Sequence, residues 1–180
     1  LLKCFYSRVK DSEGHKVYGK GTTYASQTSF TTAVWYFFKL TRNIKATELS
    51  FEIGRLNPDL ECILKQQTAA KFSCNTFRIR TDDRDLPRLL YPLIPIGCVL
   101  HIFTNPSATP DNIFIDSSCF DLELIRAAPM FLAQAYVGIT DEQLPNLQGY
   151  WFWMKAPYLS CKGVNELLLA SSSGFPTFLF

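Results

Sequence analysis

Few residues in this sequence have the type and spacing that chemistry requires. The segment Gly14–Thr22 differs from a P-loop by one residue, because Gly21 separates Lys20 from the hydroxyl that would hold magnesium. Its middle also has the pattern of a strand, whereas a P-loop lies between a strand and a helix. We therefore predict no nucleotide site.

Two histidines, His15 and His101, are the candidates for a general base. The sequence has no Gly-x-Ser-x-Gly motif, and His15 lies beside a predicted turn. His101 lies in an apolar strand, where a hydrogen-bonded structural histidine is the usual interpretation. A Cys–His pair through His101 stays open, because catalytic partners need only be near in space. An enzyme domain with a dispersed site is therefore one alternative function.

The six cysteines do not have the spacing of a metal site. No two of them lie closer than 12 residues, and the sequence has no Cys-x-x-Cys motif. The acidic cluster Asp82–Asp85 contains Arg84 and precedes a helix, so we interpret it as a solvated helix-capping turn. We predict no metal and no cofactor. Cys62 and Cys98 lie in apolar contexts, which predicts buried thiols and an intracellular protein, cytoplasmic or nuclear.

The densest aromatic stretch is Tyr150–Met154, which Tyr158 follows. A strand here places Trp151 and Trp153 on one face and Phe152 on the other. One interpretation is that both faces of this strand are covered by the core. The other is a protein-binding site made of Trp151, Trp153 and Tyr158, because binding hot spots favour Trp and Tyr. Lys155 continues the tryptophan face and is rarely buried, so we expect that face to be partly exposed or covered by a partner, and Phe152 to be core.

Composition excludes several classes of protein. The chain has 180 residues, of which 47% are hydrophobic and 19% charged, so it is not disordered. Its net charge of +2 is too small for a nucleic-acid surface that depends on phosphate neutralisation. The apolar run Ala33–Phe38 is far shorter than the roughly 20 residues of a membrane span. We therefore predict no nucleic-acid and no membrane partner.

Short strand and helix patterns alternate along the chain. A hairpin is predicted over 1–21 and strand–helix units over 22–180, in a single domain that we expect to be a fragment of a longer chain. Ile53, Ile79 and Ile102 are 26 and 23 residues apart, within the period of leucine-rich repeats. The regular leucine and asparagine consensus is absent. The predicted fold is α/β, with irregular strand–helix repeats in a degenerate leucine-rich-repeat-like array preceded by an N-terminal β-hairpin.

Each predicted element has its own local signal. Thr47–Ile53 and Asn75–Arg80 alternate as strands, and Asn57–Pro58 is an N-cap with proline at the first helical position. In the second half we predict a strand at Ile113–Ile115 and a helix over Phe120–Phe131 that breaks near Pro129. Further predicted elements are a helix from Ser29 to Leu40, strands at Val99–Phe103, Ala135–Val137 and Tyr150–Met154, and helices beginning at Asp85, Thr140 and Ser160.

This order of elements resembles the F-box-associated domains of nematode F-box proteins, which have leucine-rich-repeat-like structure. The resemblance rests on the helix that ends in Trp35–Leu40, the strand Ala46–Phe51 and the closing segment Ala156–Leu168. The segment Ile139–Pro145 is similar to the same turn and helix one unit earlier. The F-box itself is not seen, and Leu86–Pro87 imitates its opening only in the middle of the chain.

The resemblance implies a protein-interaction module that recruits a protein substrate to a ubiquitin ligase. The Skp1–cullin machinery would be contacted through an F-box that this chain does not show. The alternatives are the enzyme domain described above and a viral or structural α/β domain. Fold alone does not decide between them, because function depends on sites.

Overall fold

Parallel strands with helices between them make up most of the part of the chain that the structure describes. The α/β class predicted from the sequence is confirmed. By its contacts the chain divides into two units, Leu1–Pro95 and Ile96–Phe180. The computed structural model describes residues 3–7, 9–10, 16–17, 34, 36–39, 41, 45–66, 71–104, 113–170 and 177–179.

The first unit begins with short strands and ends with two strand–helix pairs. Its described elements are β1 (Lys3–Ser7), β2 (Val9–Lys10), β3 (Lys16–Val17), the helix α1 (helical at 34, 36–39 and 41), β4 (Lys45–Glu52), α2 (Pro58–Gln66), β5 (Ser73–Arg80), α3 (Asp85–Leu90) and a 3-10 turn, Tyr91–Leu93.

The start of α2 shows how the local sequence fixes an element. The Leu60 N–H donates to Asn57 Oδ1 at 2.7 Å, and Pro58 occupies the first helical position. An N-cap side chain satisfies a backbone donor that the helix cannot, and proline has no N–H to satisfy. The predicted helix start is therefore confirmed.

Strand pairing in the first unit differs from the predicted hairpin. Strand β1 pairs antiparallel with β4, and among the described residues of 1–21 the hairpin pairing is that of 9–10 with 16–17, so a hairpin over the whole of 1–21 is not confirmed. The partner of β1 is the eight-residue strand β4, which offers it a ladder of five residue pairs. Such long-range pairing is not visible in local sequence patterns.

Strands β4 and β5 pair in parallel, and their register corrects the predicted repeat. Phe51 lies opposite Ile79, so the equivalent residues are 28 apart, and the alignment of Ile53 with Ile79 is wrong. Ile53 follows the end of β4 and is buried beyond it. The period-2 pattern ran through Ile53 and concealed where the strand ends.

Phenylalanine rings fill the core of the first unit. Phe37 meets Phe51 edge to face with centroids 5.3 Å apart, and Phe51 stacks on Phe77 at 5.4 Å. Phe38 stacks on Phe72 at 5.5 Å. Such pairs add about 0.5–1.5 kcal/mol each beyond the area they bury.

The second unit is a parallel sheet in chain order, β6-β7-β8-β9. Its described elements are β6 (Val99–Phe103), the 3-10 helix Ser117–Asp121, α4 (Glu123–Arg126), β7 (Met130–Tyr136), the 3-10 helix Leu144–Asn146, β8 (Trp151–Lys155), α5 (Cys161–Ala170) and β9 (Thr177–Leu179). The core side of this sheet is marked by fully buried side chains on β6, β7 and β8, among them Leu100, Ile102, Phe131, Ala133 and Phe152.

Two sequence predictions in the second unit are wrong. Residues 113–115 contribute only an isolated bridge, Ile115 to Val137, and no strand. The helix predicted over Phe120–Phe131, with a break near Pro129, is instead a 3-10 helix followed by α4, which ends at Arg126, and Met130 begins β7. Pro129 separates the two, and the residue before a proline is biased away from helix. The apolar residues after Pro129 therefore form β7, which pairs with β6.

Candidate protein-binding face

Strand β8 has two different faces. Phe152 is 1% exposed and Met154 is buried as well, whereas Trp151 and Trp153 are half-buried and Lys155 is exposed. This alternation follows from the two-residue period of a strand, which puts neighbouring side chains on opposite faces. The prediction that Phe152 is core and that the tryptophans are partly exposed is confirmed.

The strand register places apolar partners beside both tryptophans. Met130 lies opposite Trp151, and Leu132 lies opposite Trp153. His101 lies opposite Leu132 from the other side. We call the half-buried, outward side chains of these three strands the aromatic face: His101 and Phe103 on β6, Met130, Leu132 and Tyr136 on β7, and Trp151 and Trp153 on β8.

Ring contacts hold parts of this face in place. The His101 and Phe103 rings meet edge to face, with centroids 6.0 Å apart. Lys155 Nζ lies 5.3 Å from the centroid of the Tyr136 ring, opposite it in the ladder. A cation over a tyrosine face is attracted by the ring quadrupole, so Lys155 is oriented along the aromatic face.

Tyr158 lies apart from the sheet. It belongs to the turn between β8 and α5 and is 60% exposed. The tryptophans, by contrast, occupy the middle of β8. The structure therefore groups Trp151 with Trp153 on β8 and places Tyr158 in the turn beyond the end of that strand.

Sequence reasoning missed the residues of β6 and β7 in this face. Met130 lay in the stretch predicted to be helical, Leu132 lay just beyond it, and His101 was considered only as a candidate general base. Their alternation with buried neighbours is a usable signal: Phe131 and Ala133 are buried between them. Comparing which alternate positions point outward in β6, β7 and β8 would have identified the aromatic face.

The turn before α5 is fastened by a carboxylate. Asp141 accepts hydrogen bonds from the Ser160 N–H at 2.9 Å and the Ser160 hydroxyl at 2.5 Å. These bonds hold the pKa of the Asp141 carboxyl below its usual range, against a smaller opposing effect of desolvation. Ser160 Oγ in turn accepts from the Gly163 N–H at 3.2 Å, so it caps α5.

The acidic cluster Asp82–Asp85 is a structural turn. The carboxylate of Asp83 accepts from the Leu56 N–H and from the Asp85 N–H, each at 3.0 Å. Both bonds satisfy backbone donors, one in the neighbouring turn and one at the start of α3. The prediction of a helix-capping turn is confirmed in position, although Arg84, which precedes the helix, makes no side-chain cap.

Within the described residues, no group of three or more His, Cys, Asp or Glu side chains could hold a metal ion. His15 and most of the segment 14–22 lie outside those residues, apart from the backbone of β3. Cys98, the nearest cysteine to His101 in sequence, is buried and donates to the Val99 carbonyl at 3.4 Å. The enzyme alternative stays a prediction.

Comparisons with known proteins find no match. No protein family, no curated protein and no solved structure matches the chain. Among the helices that the structure describes, none has both the length and the apolar character needed to cross a membrane.

The cysteines differ in exposure, which corrects one prediction. Cys98 and Cys119 are buried, but Cys62 and Cys161 are exposed, and none of the five described cysteines forms a disulfide. Cys62 lies on α2 away from the buried stripe of Leu60, Ile63 and Leu64, so its apolar neighbours in sequence were misleading.

We expect thiol labelling to divide the cysteines accordingly. Cys62 and Cys161 should be alkylated quickly in the native protein, while Cys98 and Cys119 react slowly, because thiolate formation and access both fall with burial. Mass spectrometry of peptides from a timed labelling series measures each site, and denatured protein without reductant should titrate all six thiols. Equal rates at Cys62 and Cys98 would contradict the described burial.

Proposed function

We propose that this chain is a protein-interaction module, the substrate-recruiting domain of an F-box ubiquitin-ligase adaptor. The aromatic face carries the proposal. It presents two half-buried tryptophans beside Met130 and Leu132 on paired strands, where a partner can complete their burial. Tryptophan is among the residues most enriched in binding hot spots, which lie in patches of this kind.

The repeat pattern supports an array architecture. Within each unit the parallel strands pair in chain order, with helical segments between them. Residues that are opposite in the ladders are spaced 28, 31, 21 and 26 residues apart: Phe51 to Ile79, Leu100 to Phe131, Phe131 to Phe152, and Phe152 to Phe178. These intervals scatter around the 20–29 residues of leucine-rich repeats. We therefore propose a degenerate leucine-rich-repeat-like array, whose extended surface suits protein binding.

The sequence resemblance supplies the ubiquitin-ligase role. The closing segment that carries it contains Ser160, whose N–H and hydroxyl donate to the carboxylate of Asp141 in the preceding turn. In such an adaptor, the domain holds the substrate while an F-box contacts the Skp1–cullin machinery. The role in recruitment therefore rests on the resemblance, and the binding role on the aromatic face.

Binding to a purified partner tests the proposal. We expect the tagged chain to recover saturable protein partners from a native extract. The affinity of each purified partner is then to be measured for the wild type and for the Trp151→Ala and Trp153→Ala variants. We expect each substitution to weaken binding by about 2 kcal/mol or more, the usual hot-spot threshold. Co-recovery of Skp1–cullin components with the full-length protein would support the ubiquitin-ligase role.

Leu122→Ala is the matched control. Leu122 is a large apolar residue of the same unit, 41% exposed and outside the aromatic face. Its truncation should leave partner affinity unchanged within about threefold, since exposed residues outside a hot spot contribute little. Equal affinity of the wild type, Trp151→Ala and Trp153→Ala for every partner would show that the aromatic face is not the binding site.

A further inference from the structure

Lys155 is the one charged residue of β6–β8 that continues the aromatic face. It is exposed, and its Nζ lies over the Tyr136 ring. Within the part of the chain that the structure describes, no carboxylate forms an ion pair with it. A positive charge is thus held beside Trp153, and none of the residues of β6–β8 that the structure describes carries a negative charge to balance it.

The outward faces of β4 and β5 in the first unit show the opposite arrangement. Glu48 pairs with Arg78 at 3.2 Å, and Glu52 pairs with Arg80 at 3.4 Å. Each of these arginines faces a carboxylate of the neighbouring strand, so the charges of that surface are balanced internally. Lys155 therefore lacks the carboxylate on a neighbouring strand that Arg78 and Arg80 each have.

We propose that the aromatic face binds an extended protein segment with two apolar residues and one Asp or Glu at successive alternate positions. This inference rests on the proposed function and names the class of substrate. The apolar side chains pack on Trp151 and Trp153, and the carboxylate pairs with Lys155. Electrostatic complementarity of this kind selects partners and fixes their register.

Strand geometry gives the spacing of the motif. Trp151, Trp153 and Lys155 are successive residues on one face of β8, about 6.6 Å apart along the strand. An extended segment also presents alternate side chains to one side at nearly the same interval. The matching ligand therefore has two apolar residues and one acidic residue at alternate positions.

One lysine favours a protein segment over a nucleic acid. A single-stranded nucleic acid stacks its bases on aromatic side chains but also needs a basic groove along its backbone. The outward residues of β6–β8 provide one exposed cation, Lys155, and several uncharged apolar groups. One carboxylate is enough to neutralise Lys155, whereas a row of phosphates needs several cations.

Selection from a library of random short peptides tests the proposal with the whole chain as bait. We expect enrichment of peptides with apolar, apolar and acidic residues at alternate positions. Changing the acidic residue of a selected peptide to its amide, or Lys155→Glu in the protein, should each weaken binding, the second by about tenfold, since it replaces attraction with repulsion. The Lys155→Glu bait should itself enrich peptides with Lys or Arg at that position.

Lys71→Glu is the charge-matched control. Lys71 is exposed and precedes β5 in the first unit, so this variant has the same net charge as Lys155→Glu and should bind the selected peptides as the wild type does. A labelled oligothymidine is the nucleic-acid probe. Binding of oligothymidine in competition with the peptides, selection of peptides without an acidic preference, or no enrichment at all would overturn the proposal.

These outcomes differ from a failure of the proposed function. If selected peptides lose affinity on Trp153→Ala but not on Lys155→Glu, the aromatic face binds protein segments and the acidic specificity is wrong. If a purified protein partner is unaffected by both tryptophan substitutions, the proposed binding site itself is wrong.

Discussion

Phe152→Ala is expected to lower the free energy of unfolding by about 3–5 kcal/mol, the usual cost of truncating a buried phenylalanine. Phe152 is 1% exposed and lies in the middle of β8, opposite Phe131 in the ladder. Alanine would remove the ring from a packed interior and leave a cavity that regular strands on both sides cannot collapse to fill. Urea unfolding followed by circular dichroism measures the loss.

The neighbouring tryptophans provide the contrast. Trp151 and Trp153 are half-buried, so their truncation should cost clearly less stability, about 1–2 kcal/mol, although each removes a larger side chain. Binding should show the reverse order, with the tryptophan variants losing partner affinity. Equal, large losses of stability at all three positions would mean that both faces of β8 are core, and that the aromatic face is not a surface.

Local sequence patterns were sufficient where the residues that fix an element lie close together in the sequence. Strand β6 was predicted at Val99–Phe103 and lies there, because its alternation is bounded by Gly97, which adopts a φ of +79° that favours glycine. Helix α2 was predicted from Asn57–Pro58, because the cap is made by residues three apart. Each of these signals lies within a few residues of the structure it specifies.

Pairing between distant segments could not be predicted in this way. The destination of β1 depends on which strand edge is open to it, and β4 lies about forty residues further along the chain. The stretch from Phe120 to Phe131 has apolar residues that suit either a helix or a strand. In the structure the residues up to Arg126 are mostly helical, and only Met130 and Phe131 belong to a strand, because Phe131 pairs with β6.

The candidate site also has one part that the local sequence predicts and one part that depends on strand pairing. The orientation of Trp151 and Trp153 followed from period-2 alternation and from Lys155 on their face, which needs only β8 itself. Met130 and Leu132 became part of the face through the register between β7 and β8. A sequence segment can reveal which of its residues point outward, but the patch they form depends on strands elsewhere in the chain.

Gly163→Ala is expected to destabilise the protein by about 1–3 kcal/mol, the usual cost of inserting a methyl group into a filled space. The Cβ of an alanine here would lie 2.8 Å from the Cβ of Asp141 and closer still to its carboxylate. That carboxylate cannot move away without losing its bonds to Ser160. In an open helix position the same substitution stabilises by about 1 kcal/mol, so the sign of the change is diagnostic.

Asp141→Ala supplies the second arm of a double-mutant cycle. It removes the atoms that Gly163→Ala would meet, so in this background the glycine substitution should lose its penalty. Gly149→Ala is the control, since its Cβ would lie 3.0 Å from the Pro129 carbonyl oxygen and closer to that of Ala128. Both are backbone atoms outside the Asp141 contact, so its cost should be the same in either background.

Acidification tests the hydrogen bonds that Asp141 accepts from Ser160 separately from its steric contact with position 163. Because hydrogen bonds from Ser160 lower its pKa in the folded protein, they stabilise the fold at pH values above the usual carboxyl range. That stabilisation is lost as the pH falls through the lowered pKa, so wild type should lose more stability on acidification than Asp141→Ala. Urea unfolding at neutral and acid pH measures the difference. An additive cycle together with identical pH dependence would mean that the carboxylate neither fastens α5 nor excludes a side chain at position 163.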